Sequence, residues 1–146
     1  MISDNFNHKA IIDVYKNAHI ALQSLHDLIP DVSDKELKQE LLYEYEGYKA
    51  FIDDVAYYLE EKDIAPEDLG AFKKAMMKGA IKFKTMMDDS RNHIAEMMIK
   101  GTVMGITELR QLISRGQDKI SSEIIDYAKE LLSLEESFEE RLKTYL

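Results

Sequence analysis

Apolar residues recur along this chain at intervals of three and four, the period of an α-helix rather than the alternation of a strand. Only six glycines and two prolines interrupt the pattern, so nearly everything reads as helix. In the first stretch the stripe is Ile11, Tyr15, Ala18, Leu22, Leu25 and Ile29. It stops at Pro30, whose ring disfavours helical geometry in the residue before it, which predicts a helix over 5–29. Ser33, with Glu36 three residues on, has the form of a capping box: the hydroxyl accepts from a free first-turn amide and the carboxylate reaches back. It opens a second predicted helix over 34–62, striped by Leu37, Leu41, Tyr45, Tyr48, Ile52, Val55 and Leu59. Beyond Pro66 and Gly70 a third apolar face runs through Met76, Ala80, Phe83, Met87, Ile94, Met98, Gly101, Gly105, Leu109 and Leu112. That face predicts a helix over 71–114, about eleven turns long, stopped near Gly116. The fourth, over 118–145, is capped near Asp118 or Ser121 and carries Ile120, Ile124, Ala128, Leu131, Phe138 and Leu142 on one side.

Short connections make consecutive helices antiparallel, so the expected fold is all-α: one domain over 1–146, an up-down-up-down antiparallel four-helix bundle. The connection between the second and third helices is the longest, and a crossover there stays open. A hydrophobic content of 45% is enough for one real core. Nineteen basic against 28 acidic residues give a net charge of −9, which disfavours nucleic acid and anionic membrane surfaces as partners. There is no cysteine, hence no disulfide frame, thiolate metal site or thiol nucleophile. No window approaches the roughly 18 apolar residues of a membrane span. The first residues, M-I-S-D-N-F-N-H-K, lack a basic region followed by an apolar run, so a cytoplasmic protein is expected.

Chemistry has to come from polar residues that break the apolar stripes, because burying them unpaired costs about 1–3 kcal/mol each. On the fourth helix Glu135 falls inside the arc of Ala128, Leu131, Phe138 and Leu142, whereas Glu136 points out. On the second, Glu44 lies between Leu37, Leu41, Tyr48 and Phe51. Ser90 and Glu108 share the face of Ile94 and Gly101, with His93 at its edge, and His8, His19 and His26 share one shoulder of the first helix. Folding the two hairpins about residues 31 and 116 brings His19 level with Glu44 and Met97 level with Glu135. These polar groups thus spread over more than one layer; His19, Glu44, His93 and Glu135 are the candidate ligands if a divalent metal such as iron, manganese or zinc is held, the other reading being structural polar pairs or groups reaching solvent. A bundle that holds two metals uses Glu residues together with Glu-x-x-His pairs, and no E-x-x-H occurs here. The nearest is the reversed pair His93 and Glu96, with Glu96 turned away from the core.

All methionines but Met1 lie in the third helical stretch, which suits core filling or an adaptable partner surface. Gly101 and Gly105, four apart, imply close approach of a neighbouring helix, with something as large as a tyrosine of the second helix in the space they leave. No phosphate loop, dinucleotide fingerprint, nucleophile elbow or H-E-x-x-H is present, and Ser90 with His93 lacks an orienting acid, so enzymatic turnover is not expected.

Ser90, the run His93-Ile94-Ala95-Glu96-Met97-Met98-Ile99, Gly101, Met104-Gly105-Ile106 and the ending with Glu135-Glu136, Arg141-Leu142-Lys143 and Leu146 resemble a family of small uncharacterised bacterial proteins, chiefly from Gram-positive anaerobes and lactic acid bacteria. The resemblance extends to S-L-H-D-L-I-P-D-V at the end of the first helix. It implies a ferritin-like bundle with no established activity, and the wider ferritin-like superfamily implies a diiron centre. Two readings stand: a non-catalytic bundle acting through protein contacts, as a dimer joined by the second or third helix, and a divergent ferritin-like metal binder lacking the full diiron ligand set.

Overall fold

The computed structural model describes residues 2–65 and 90–146. Expectations placed on residues 66–89, among them Pro66, Gly70, Met76, Phe83 and Met87, lie outside the described residues. Four helices and no strand are found among those described: α1 (Ile2–Leu28), α2 (Lys35–Glu61), α3 (Arg91–Gly116) and α4 (Ser122–Lys143). A 3-10 turn over Ile29–Asp31 carries the chain past Pro30. None of these helices is long and apolar enough to cross a membrane.

The ends of the helices differ in informative ways from the sequence expectation. Asp34, not Ser33, caps α2: its carboxylate accepts from the Leu37 amide at 2.9 Å, satisfying a first-turn donor that the helix cannot. At the far end Asp63 adopts left-handed geometry, with φ 54°, and the Ile64 amide reaches back to the Leu59 carbonyl at 2.9 Å. This is the closing turn usually served by glycine, and aspartate is among the few residues that tolerate it. The helix expected over 71–114 is not continuous through residue 90: Ser90 is extended, with ψ 144°, and α3 begins at Arg91. α4 begins at Ser122 rather than 118, because Ser121 takes the capping position and accepts from the Ile124 amide.

The apolar stripes meet in one core built around Ile11, Val14, Leu25, Leu41, Val55, Ile94, Leu109, Leu131 and Leu142. Each such side chain contributes about 1.5–3 kcal/mol by leaving water. Edge-on contacts of Tyr127 with Phe51 and Tyr58, at 6.3 and 5.5 Å between centroids, seat the end of α2 against the start of α4.

Polar contacts fix the directions. Asn7 near the start of α1 accepts from the Ser121 amide at the start of α4, at 2.7 Å. Arg141 near the end of α4 pairs with Glu40 near the start of α2, at 2.8 Å. Arg91, the first residue of α3, lies 3.6 Å from Asp34 and 3.4 Å from Glu36, at the start of α2. The second and third helices thus begin at the same end, and strict alternation of direction gives way to up, down, down, up. Chain length permits this: enough residues separate Lys62 from Ser90 to cover the length of a 27-residue helix, roughly 40 Å.

Asp34→Ala should lower unfolding stability by about 1 kcal/mol in urea titration, more than Ser33→Ala does, because it removes both the α2 cap and the partner of Arg91. Equal losses would return the cap to Ser33.

Candidate functional site: a buried polar layer

Midway along the bundle the apolar core is interrupted by a layer to which all four helices contribute. Glu135 of α4, 2% exposed, accepts a hydrogen bond through Oε2 from the Tyr48 hydroxyl of α2 at 3.1 Å. Asn17 of α1, 6% exposed, donates through Nδ2 to the Gly105 carbonyl at 3.1 Å and to the Glu108 carboxylate at 3.4 Å, both on α3. The glycine at 105 makes room for this arrangement. A Cβ there would stand 2.8 Å from Glu135 Oε1 and 3.3 Å from Asn17 Oδ1, so the residue facing Gly105 is the Glu135 carboxyl and not the tyrosine expected. Among the described residues nothing lies within 4 Å of a Cβ placed on Gly101, which lines a cleft instead.

Below Tyr48, one turn apart on the same face of α2, come Glu44 and Glu40, 1% and 5% exposed. Glu40 is charge-neutralised by Arg141, whose Nε donates to its two oxygens at 2.9 and 3.0 Å. The Arg141 guanidinium lies 4.3 Å above the Tyr43 ring, which holds its fork in place. Glu44 shares a side-chain hydrogen bond with Glu40. Arg141, Glu40, Glu44, Tyr48 and Glu135 therefore form a ladder leading from the surface into the centre.

Burial governs the protonation of this ladder. Loss of water pushes the Glu44 carboxyl up to about 10, reinforced by the hydrogen bond to Glu40 and the Glu40 charge. The Glu135 carboxyl is raised to about 8, again by burial; the Tyr48 hydrogen bond opposes the rise and the Glu108 charge adds to it. Burial, with the Glu135 and Glu44 charges behind it, also holds the Tyr48 phenol well above its ordinary value. At neutral pH both inner carboxyls are thus neutral, the state that a low-dielectric site demands.

A cavity of about 220 Å³ opens on this layer between α1 and α3. Its polar wall includes Asn17, Glu44, Glu108 and Glu135; its apolar wall includes Ile20, Met97, Met98 and Met104. Three of its side chains leave a buried oxygen without a hydrogen-bond partner among the described residues: Asn17 Oδ1, Glu44 Oε2 and Glu135 Oε1.

Of the four residues expected from sequence, Glu44 and Glu135 meet in this cleft and His19 and His93 do not line it. His19 is half-buried beside Tyr15, with rings 5.5 Å apart, and His93 lies in the first turn of α3. The register differs because α3 continues to Gly116 and α4 starts at Ser122, so their hairpin folds beyond residue 116 and sets Gly105 opposite Glu135. Sequence reasoning missed Asn17 and Glu40. Glu40 had a signal, the repeat of Glu40, Glu44 and Tyr48 at intervals of four. For Asn17 the signal was Val14 three residues before it, which is fully buried and shows the α1 stripe to be turned toward Asn17.

The two-metal centre implied by the resemblance requires Glu-x-x-His on two helices. Here Glu44 and Glu135 are followed three residues on by Gly47 and Phe138, and these two are packed together: a Cβ on Gly47 would be 2.9 Å from Phe138 Cζ. Hydrocarbon occupies the place of the imidazoles, and among the described residues no three His, Asp or Glu side chains gather as a metal site. The described residues do not fit two metals. Comparison with protein-family models, curated proteins and solved structures finds no match.

Because both carboxyls hold their protons more tightly folded than unfolded, the stability they confer is complete below about pH 4.5 and is lost as pH rises through about 8 for Glu135 and about 10 for Glu44. Each group can cost up to about 1.4 kcal/mol per pH unit within its window. Urea unfolding at a series of pH values should show this decline in the wild type and a flatter profile in Glu135→Gln up to about pH 8. Parallel profiles would mean that Glu135 does not titrate this way.

Proposed function

We propose that this chain is a non-catalytic, ferritin-like helical bundle that works by binding, and that the cleft over Gly101 and Gly105 is where it binds. The up, down, down, up order, with one long connection between the second and third helices, supports the ferritin-like reading. The observation that carries the binding role is the set of three side chains, each at least nine-tenths buried, that present unpartnered oxygens on a cleft wall. Leaving such groups unpaired costs about 1–3 kcal/mol each, a cost that a purely structural polar pair avoids by satisfying its own atoms. Turnover is not supported. The aliphatic hydroxyls of the cleft, Ser24 and Thr102, donate to carbonyls one turn back at 2.9 and 2.7 Å, so neither stands as a nucleophile beside a base.

Gly101→Leu fills the cleft from a position where a side chain meets no described residue, and removes a mid-helix glycine that costs roughly 1 kcal/mol. Thermal-shift screening against small polar organic compounds should find ligands that raise the wild-type midpoint and leave that of Gly101→Leu unmoved. Equal responses would overturn the assignment. Elemental analysis of untagged protein tests the metal reading in parallel, since stoichiometric iron, manganese or zinc would replace the organic ligand.

A second reading, association into a dimer, is favoured by Ile20, Val103 and Met104, which are 49%, 39% and 67% exposed on α1 and α3. Light scattering during size-exclusion chromatography should return twice the chain mass for the wild type and the single-chain mass for Met104→Lys; a monomeric wild type rejects it.

A further inference from the structure

We infer that the cleft between α1 and α3 receives a primary ammonium group carried on a short, unbranched apolar body; this rests on the cleft being the binding site proposed above. The sign of the site comes first. Glu44, Glu108 and Glu135 line it, and no Lys, Arg or His is among its described lining residues; an entering cation can draw the proton off the Glu135 carboxyl and pair with the carboxylate left behind, whereas an anion finds no positive partner there. The hydrogen-bonding inventory narrows the guest. The donors of the layer are already engaged, the Tyr48 hydroxyl with Glu135, the Asn17 amide nitrogen with Gly105 and Glu108, and the Glu44 carboxyl proton with Glu40; the Glu135 proton is the one that leaves when a cation takes its place. What remains is three oxygens, Asn17 Oδ1, Glu44 Oε2 and Glu135 Oε1, and a primary ammonium carries three N–H donors.

The rest of the cleft wall selects the body of the guest. Ile20, Ala21, Met97, Met98 and Met104 present aliphatic and thioether surface, and methionine adapts readily to a flexible chain. A cavity of about 220 Å³ suits a small molecule rather than a long lipid or a peptide. A bare divalent cation is a poor match, because such ions demand a full shell of oxygen ligands and gain nothing from thioether and hydrocarbon walls.

The test is isothermal titration calorimetry on the full chain with linear primary amines from methylamine to octylamine, the alcohols and carboxylic acids of the same lengths, and tetramethylammonium. The expected result is an affinity optimum at intermediate amine length, with the matched alcohol and tetramethylammonium weaker by about tenfold or more and no binding of the acids. Glu135→Gln, which keeps shape but cannot ionise against the ammonium, should weaken the best amine by about tenfold or more and leave alcohols unchanged, and Glu44→Gln supplies the same comparison if the first variant does not fold. Gly101→Leu should abolish binding of every probe. Alcohols or tetramethylammonium binding as tightly as the amine, or amine affinity indifferent to both Gln variants, would overturn the ammonium while a Gly101→Leu loss upheld the cleft. Failure of every probe to bind would overturn the ammonium, and probes that bind Gly101→Leu as they bind the wild type would overturn both.

Discussion

The Glu135 carboxyl, buried over Gly105 and held by the Tyr48 hydroxyl, is the constraint to which the centre of this bundle is fitted. A carboxyl in that position needs a neighbour without a side chain on α3, a donor on α2 and a polar companion on α1, and Gly105, Tyr48 and Asn17 supply them. It also needs to shed its charge, which burial brings about by raising its pKa to about 8. Each residue of the layer makes sense only in the presence of the others. Leucine at 135 would satisfy the core equally well and would make the glycine, the tyrosine hydroxyl and the asparagine unnecessary.

The remaining acids show how charge is managed along a gradient. Glu40 is paired with Arg141, which reaches it from the half-exposed end of α4. Glu44, one turn deeper, has no such partner and is neutral. Isolated buried charge is far more costly than a buried neutral acid, and ion pairing gives way to neutral carboxyls where the guanidinium can no longer reach.

Much of this is legible in the sequence, and what is not fails for identifiable reasons. Four helices follow from the three-and-four spacing, and the inward placement of Glu44 and Glu135 follows from the leucines and aromatics that flank each of them. Asn17 is hidden because Tyr15, Leu22 and Ile29 are as apolar as Val14 and Leu28, yet the first three are only partly buried and the last two define the true face. No sequence pattern distinguishes those two stripes without knowledge of what packs against α1. The direction of α3 is hidden for a related reason. A continuous apolar face through residue 90 reads as one helix, and the extended backbone of Ser90 interrupts it without disturbing the pattern. His19 and His93 mislead because position at the edge of a stripe fixes an angle about the helix axis, while membership of a site also requires the right height along it.

The two hairpins, α1 with α2 and α3 with α4, are each closed by a short turn, whereas the bonds of the polar layer run almost entirely from one hairpin to the other: Asn17 to Gly105, Tyr48 to Glu135, Glu40 to Arg141. Local pairing forms quickly and distant pairing slowly, so docking of preformed hairpins is the natural slow step in assembly. Glu135 loses its water in that step and not before, and at neutral pH it must take up a proton as it does so. Docking is then a protonation event as well as a packing event, and alkaline conditions would retard assembly of the bundle before they loosened the finished one.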